Sequence, residues 1–119
     1  MKIKMKDKKF LFMETCRMGF KFFAKYLLLK HKINIHMDNE GAFRLSCANG
    51  HTEIAKYLIE IENQPSHQQI NIHADDEYAF RWSCENGHIE TVKYLIELAN
   101  QPGMSPIPND LMETYYPKN

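Results

Sequence analysis

Residues 33–65 of this 119-residue chain reappear 37 positions later. Ile33-Asn-Ile-His36 returns as Ile70-Asn-Ile-His73, Ala42-Phe-Arg44 as Ala79-Phe-Arg81, Asn49-Gly-His51 as Asn86-Gly-His88, and Lys56-Tyr-Leu-Ile-Glu60 as Lys93-Tyr-Leu-Ile-Glu97. The alignment with residues 70–102 holds 23 identities in 33 positions. A fainter copy lies upstream at an offset of 31, where Phe12, Cys16, Gly19 and Ala24-Lys-Tyr-Leu27 match Phe43, Cys47, Gly50 and Ala55-Lys-Tyr-Leu58. Self-similarity at such a period is the signature of a stacked array. The chain therefore divides into a basic partial or capping repeat at 1–32, a repeat at 33–65, a loop insertion at 66–69, a repeat at 70–100 and a Pro-rich tail at 101–119.

Within one unit the pattern predicts two helices. Asp38 or Asn39 caps the first, Ala42, Phe43, Leu45, Ser46 and Cys47 give it an apolar and small-residue face, and Gly50 ends it where positive φ is needed. The second starts after His51 and sets Ile54, Tyr57, Leu58 and Ile61 at i, i+3, i+4 and i+7, with Lys56 and Glu60 on the opposite side. So short a helix pair cannot bury its apolar face alone and must stack on its neighbours. The fold class expected is all-α: a helix-turn-helix solenoid of two full repeats plus a partial N-terminal repeat. Solenoids need about three units, so marginal stability is expected. In the tail, Asp110-Leu-Met-Glu113 predicts a short capped helical turn, the start of a further unit.

These units resemble the ankyrin repeat. The Asn49-Gly-His51 and Asn86-Gly-His88 turns are similar to the family's turn between helices. Glu53, Ile54, Tyr57, Leu58 and Ile59 resemble its second helix, and Ile35-His36-Met37 and Ile72-His73-Ala74 its entry into the β-turn finger. The likeness departs at the start of the first helix, where the family's Thr-Pro-Leu-His reads Gly41-Ala-Phe-Arg44 and Tyr78-Ala-Phe-Arg81. The wording of the units further resembles ankyrin proteins encoded by giant viruses of amoebae. The resemblance implies a non-catalytic solenoid that binds another protein, a host protein if the source is viral, without a cofactor.

Composition excludes several other classes. Hydrophobic residues make up 44% and charged residues 25%, ordinary for a chain that folds. No apolar stretch approaches the ~18 residues of a membrane span, so no membrane role is expected. The apolar segment after the basic start stops at Glu14, short of the roughly 7 to 15 residues of a secretory signal. Three cysteines fit a reducing compartment, and an intracellular, cytoplasmic location is expected.

Charge is balanced overall but not along the chain. Residues 1–32 carry ten basic side chains against Asp7 and Glu14, a net +8, and residues 33–119 carry five basic against thirteen acidic, a net −8. In the simpler reading the lysines solvate an end helix pair. The alternative is nucleic-acid binding, with Lys2, Lys4, Lys6, Lys8 and Lys9 on phosphates and Phe20, Phe22, Phe23 and Tyr26, interleaved with Lys21 and Lys25, stacking on bases. Helical spacing, however, aligns Phe23, Tyr26 and Leu27 with the buried face of a second helix, and core is their expected role.

Chemistry-bearing residues give no catalytic constellation. No nucleophile elbow, phosphate loop, HExxH or paired-carboxylate motif is present, so no enzyme is expected. Cys47 with His51 and Cys84 with His88 form Cys-x3-His pairs that zinc could use. Both descend from one duplicated unit, and equivalent residues of stacked repeats stand roughly 10 Å apart, so the expected role is structural and no metal is assigned. His36, His51, His73 and His88 are expected to hydrogen-bond backbone in turns.

Comparing the two copies separates what the fold needs from what is free to differ. On the first helix the differing pairs are Gly41/Tyr78, Leu45/Trp82 and Ala48/Glu85, whose i, i+4, i+7 spacing makes one face. Tyr, Trp and Arg are enriched at binding hot spots. The candidate partner-binding residues are Tyr78, Arg81, Trp82 and Glu85, with Arg44, Leu45 and Ala48 as the thinner half. The competing reading has Trp82 filling a gap against Tyr78 and the tail. Met37/Ala74 and Asn39/Asp76 would extend the face if the finger projects.

Overall fold

The computed structural model describes residues 4–62 and 69–115. Among these residues there are seven helices and no strand: α1 (Met5–Met18), α2 (Lys21–Lys30), α3 (Met37–Ala48), α4 (Thr52–Glu62), α5 (Ala74–Glu85), α6 (Ile89–Ala99) and α7 (Asn109–Tyr115). They pair as α1/α2, α3/α4 and α5/α6, with the first helices stacked in one layer and the second helices in another. The result is an all-helical solenoid, 54 × 31 × 21 Å. Segment 1–32 holds a whole helix pair, and the tail holds α7, which packs on α5. The insertion at 66–69 lies outside the described residues except for Gln69.

The repeat in sequence becomes a repeat of buried side chains. Phe12, Phe43 and Phe80 stand at equivalent positions in α1, α3 and α5, each fully buried, and Leu27, Leu58 and Leu95 do the same for the second helices. The first helices carry small buried groups, Cys16, Ala42, Ser46, Cys47, Ala79 and Ser83. Their backbones therefore approach closely, and α3 packs more extensively on α1 and α5 than α4 does on α2 and α6. Ser46 donates to the Ala42 carbonyl (2.7 Å), while its counterpart Ser83 crosses to the Cys47 carbonyl of the preceding unit (2.9 Å). Between α4 and α6, Thr52 and Thr91 share a hydroxyl–hydroxyl bond of 2.6 Å. Among the described residues every buried side-chain polar atom has a partner, as a low-dielectric interior requires. Burial pushes the Cys16 thiol up to about 12 and Cys84 up to about 11, and raises Cys47 further. All three stay protonated and unreactive near neutrality.

Each first helix ends on a left-handed glycine. Gly19, Gly50 and Gly87 have φ of 87°, 77° and 74°, and His51 N–H closes the turn on the Ser46 carbonyl (2.8 Å) as His88 N–H does on Ser83 (2.9 Å). The next unit's turn histidine then packs on the glycine: a Cβ at Gly19 would stand 2.5 Å from His51, and one at Gly50 2.5 Å from His88. Gly87 has nothing within 4 Å. Gly87→Ala should therefore lose only the roughly 1 kcal/mol of left-handed strain. Gly50→Ala should lose that plus whatever is needed to move His88, a difference read from the two urea midpoints. Equal losses would show that the histidine contact contributes nothing.

Entry to the first helix differs from the side-chain cap that Asp38 or Asn39 predicts. Asp38, Asn39 and Glu40 adopt three successive left-handed conformations (φ 57°, 54° and 62°), and Asp75, Asp76 and Glu77 repeat them (58°, 55° and 60°). No side-chain cap bond forms. Left-handed backbone costs about 1–2 kcal/mol per residue, and a clamp offsets it. Arg44 donates from Nε to the Asn39 carbonyl and from Nη2 to the Asp38 carbonyl, both at 2.9 Å, and Arg81 Nε donates to Asp76 (2.8 Å). Beneath the turn Glu40, 5% exposed, accepts from His36 Nδ1 (2.8 Å) and from the Asn71 N–H of the next unit (2.7 Å). Glu77 likewise accepts from His73 Nδ1 (2.7 Å), whose Nε2 donates to the Ser105 carbonyl (2.9 Å). His51 Nε2 donates back to Arg17 (2.9 Å). The finger left by this turn does not project: Ala74 is buried and Met37 half-buried against the core. That pair adds nothing to an outer face, although Asn39 and Asp76 are exposed.

The core expectation for α2 needs correction. Leu27 and Ala24 are buried, but Phe23 and Tyr26 are 41% and 51% exposed, and Phe22 and Leu29 are both 82% exposed. Ile54 and Thr91, the equivalents of Phe23, are 2% and 1% exposed because each lies against a preceding helix pair. No described residue of this chain lies on that side of α2.

Candidate functional site: the first-helix face

The helical register brings most of the predicted residues onto the outer side of α3 and α5. Tyr78 and Trp82, one turn apart, stack with ring centroids 5.9 Å apart at 44°. Trp82 is 41% exposed, so the contact with Tyr78 is made while much of the indole remains open to solvent. Glu85 is exposed one turn further along and Leu45 is half-buried. Ala48 is buried, and its carbonyl accepts from Asn86 Nδ2 (2.8 Å), so it forms the floor beneath its neighbours.

The two arginines are engaged within the protein. Besides clamping its turn, Arg44 places its guanidinium carbon 4.6 Å from the Tyr78 ring centroid and Nη1 3.4 Å from Asp75 Oδ2, with its side chain 17% exposed. A cation over an aromatic face is attractive, so Arg44 orients Tyr78 from below. Arg81, half-buried, is tied to the Asp76 carbonyl.

Carrying the offset of 31 one unit further upstream adds a third row that comparing only two copies misses. Phe10, Glu14 and Arg17 are the α1 counterparts of Gly41, Leu45 and Ala48. Phe10 is 66% exposed, and Arg17 Nε pairs with Glu14 at 2.6 Å. That bond holds the Glu14 carboxyl below its usual range and the arginine above its own. In the middle row Gly41 and Ala48 are buried, and Leu45 stands half-buried between them. A Cβ at Gly41 would stand 2.3 Å from Met13 Cε, so no larger residue fits there unless Met13 moves. The face thus has Phe10 on one side, Gly41, Leu45 and Ala48 between, and the Tyr78–Trp82 pair on the other. Apolar surface at Phe10, Leu45 and Trp82 is flanked by the charged side chains of Glu14, Arg17 and Glu85.

The cysteine–histidine pairs do not converge on this face. Cys47 is fully buried, His51 turns to the Arg17 carbonyl, and no group of three or more metal-ligating side chains occurs among the described residues. Among the same residues, no helix is long and apolar enough to cross a membrane.

Comparison with known proteins places the chain by family. A family model described as ankyrin repeats, in three copies, matches residues 12–105. No curated protein and no solved structure gives a significant match.

Proposed function

Because residues 12–105 match the ankyrin-repeat model over most of its length, this chain belongs to the ankyrin-repeat family, and we propose that it binds a protein partner through the first-helix face, without catalysis or cofactor. Ankyrin repeats are in general protein-interaction scaffolds, and the observation that carries the choice of face is the Tyr78–Trp82 pair. Two large aromatics stand partly exposed where the otherwise matching unit has Gly41 and Leu45. Conserving a fold does not require that change, and Trp and Tyr are the side chains whose burial dominates interface energies. On this reading Tyr78, Trp82 and Glu85 contact the partner and Leu45 with Ala48 receives it. Arg44 and Arg81 contribute by holding Tyr78 and its helix in place. If the source is viral, as the resemblance of the repeat wording to ankyrin proteins of giant amoebal viruses implies, the partner is a host protein.

The test is a pull-down from amoebal lysate read by mass spectrometry, comparing the native protein with Tyr78→Ala/Trp82→Ala. Loss of two hot-spot aromatics removes about 2–4 kcal/mol or more, at least ~30-fold in affinity. Specific partners should disappear while circular dichroism shows unchanged helicity. Retention of the same partners would rule out this face.

A further inference from the structure

The two ends of the array are unlike and complementary, and we infer that a second copy of this chain docks head-to-tail, the α2 face of one copy on the α6 face of the next. The internal joints supply the register. In each joint a turn histidine lies on the preceding turn glycine and a lysine of one second helix lies over a tyrosine of the next, while the first residue of one second helix meets the second residue of the next in one joint and the third in the other. Lys25 Nζ is 4.7 Å from the Tyr57 ring and Lys56 Nζ 5.5 Å from the Tyr94 ring. Lys21 pairs with Glu53 at 3.7 Å, and Thr52 bonds Thr91.

One further step of the same register leaves α6 and arrives at α2 of another copy. Phe20, the counterpart of His51 and His88, then falls on Gly87, which among Gly19, Gly50 and Gly87, the glycines that end the first helices, is the one with open space above it. Lys93 falls on Tyr26. Ile89, 62% exposed, falls between Phe22 and Phe23, which are 82% and 41% exposed. The positions that are Lys21 and Glu53, or Thr52 and Thr91, inside the chain are apolar on both sides at its ends. Charge matches as well: residues 1–32 carry a net +8, and residues 70–119, with three basic and eight acidic side chains, a net −5. Unlike charge at the two ends favours head-to-tail over head-to-head contact.

The joint is heterologous and does not close on itself, so it propagates copies in a row. Because α7 packs on α5, an incoming α1 held in this register has to displace it, and that displacement opposes the contact. The contact is accordingly weaker than an internal joint, with a dissociation constant on the order of 100 µM.

Sedimentation equilibrium between about 10 and 500 µM, a range chosen to bracket that affinity, tests this with two blocked variants, Phe22→Glu/Phe23→Glu and Ile89→Glu, both altered at exposed positions and checked by circular dichroism. The native protein should rise above its 14.1 kDa monomer mass with concentration, less so in high salt. Each variant alone should remain monomeric. An equimolar mixture should form a 1:1 dimer and go no further, because one open end of each kind remains. A native protein that stays monomeric overturns the inference, as does a mixture that fails to pair. Association by Ile89→Glu alone also overturns it, since the α2 face would then be meeting itself or another surface.

Discussion

Phe43→Ala is expected to leave the protein largely unfolded at physiological temperature. Truncating a fully buried phenylalanine costs about 3–5 kcal/mol, through lost transfer energy and the cavity left behind, against total stabilities of roughly 5–15 kcal/mol for ordinary domains. Position matters beyond the side chain. A repeat array is stabilised by each unit and by each interface between neighbours, and Phe43 sits in the helix that packs on both α1 and α5. Loss of its unit removes two interfaces. Phe80→Ala, in the last full unit, should be milder and leave residues 5–62 helical. Thermal melts followed at 222 nm, with Phe43→Leu as the volume-sparing control costing less than about 1.5 kcal/mol, provide the comparison. Equal destabilisation by Phe43→Ala and Phe80→Ala would contradict the additive picture.

Glu40→Ala is expected to cost about 1–3 kcal/mol, the scale for leaving hydrogen-bonded polar groups without their partner, and to separate the third unit from the second. Its carboxylate is the only side chain among the described residues shown bonding to the Asn71 backbone N–H, at 2.7 Å, while its other oxygen serves His36. Deletion removes the acceptor of a part-buried bond that crosses a repeat boundary. It also frees three left-handed residues from the contact beneath them. Urea unfolding should lose its single cooperative transition, with residues 70–115 melting first. Glu40→Gln keeps one acceptor and should lose less. A uniform, still two-state loss for Glu40→Ala would mean that the boundary is held elsewhere.

The second helices and the glycine turns were legible from spacing alone, because a 3.6-residue stripe and a required positive φ leave a direct mark on residue choice. The entry turn was not. Asp38 and Asn39 before a helix have the composition of a side-chain cap, and the same residues tolerate left-handed backbone; only the Arg four residues beyond Glu40, read together with His36 four before it, distinguishes the two. Phe23 and Tyr26 show a different limit. Periodicity identifies which face of a helix is apolar, not whether anything lies against it, and these residues, with the pattern of Ile54 and Tyr57, are 41% and 51% exposed. On the candidate face, the contrast between copies located Tyr78 and Trp82. It does not reveal that the Arg44 side chain turns inward to the backbone, or that Phe10, which has no counterpart in a comparison of two units, is exposed at the equivalent position of α1.

The hydroxyl pair between Thr52 and Thr91 fixes the order of the units. Placing the second unit after itself would set Thr52 against Ile54, a buried hydroxyl facing a methyl group, and placing the third after itself would set Ile89 against Thr91. Duplication supplied near-identical modules, but they have since diverged at the surface where they touch. Each now recognises its own neighbour, and the array is a sentence with a fixed word order.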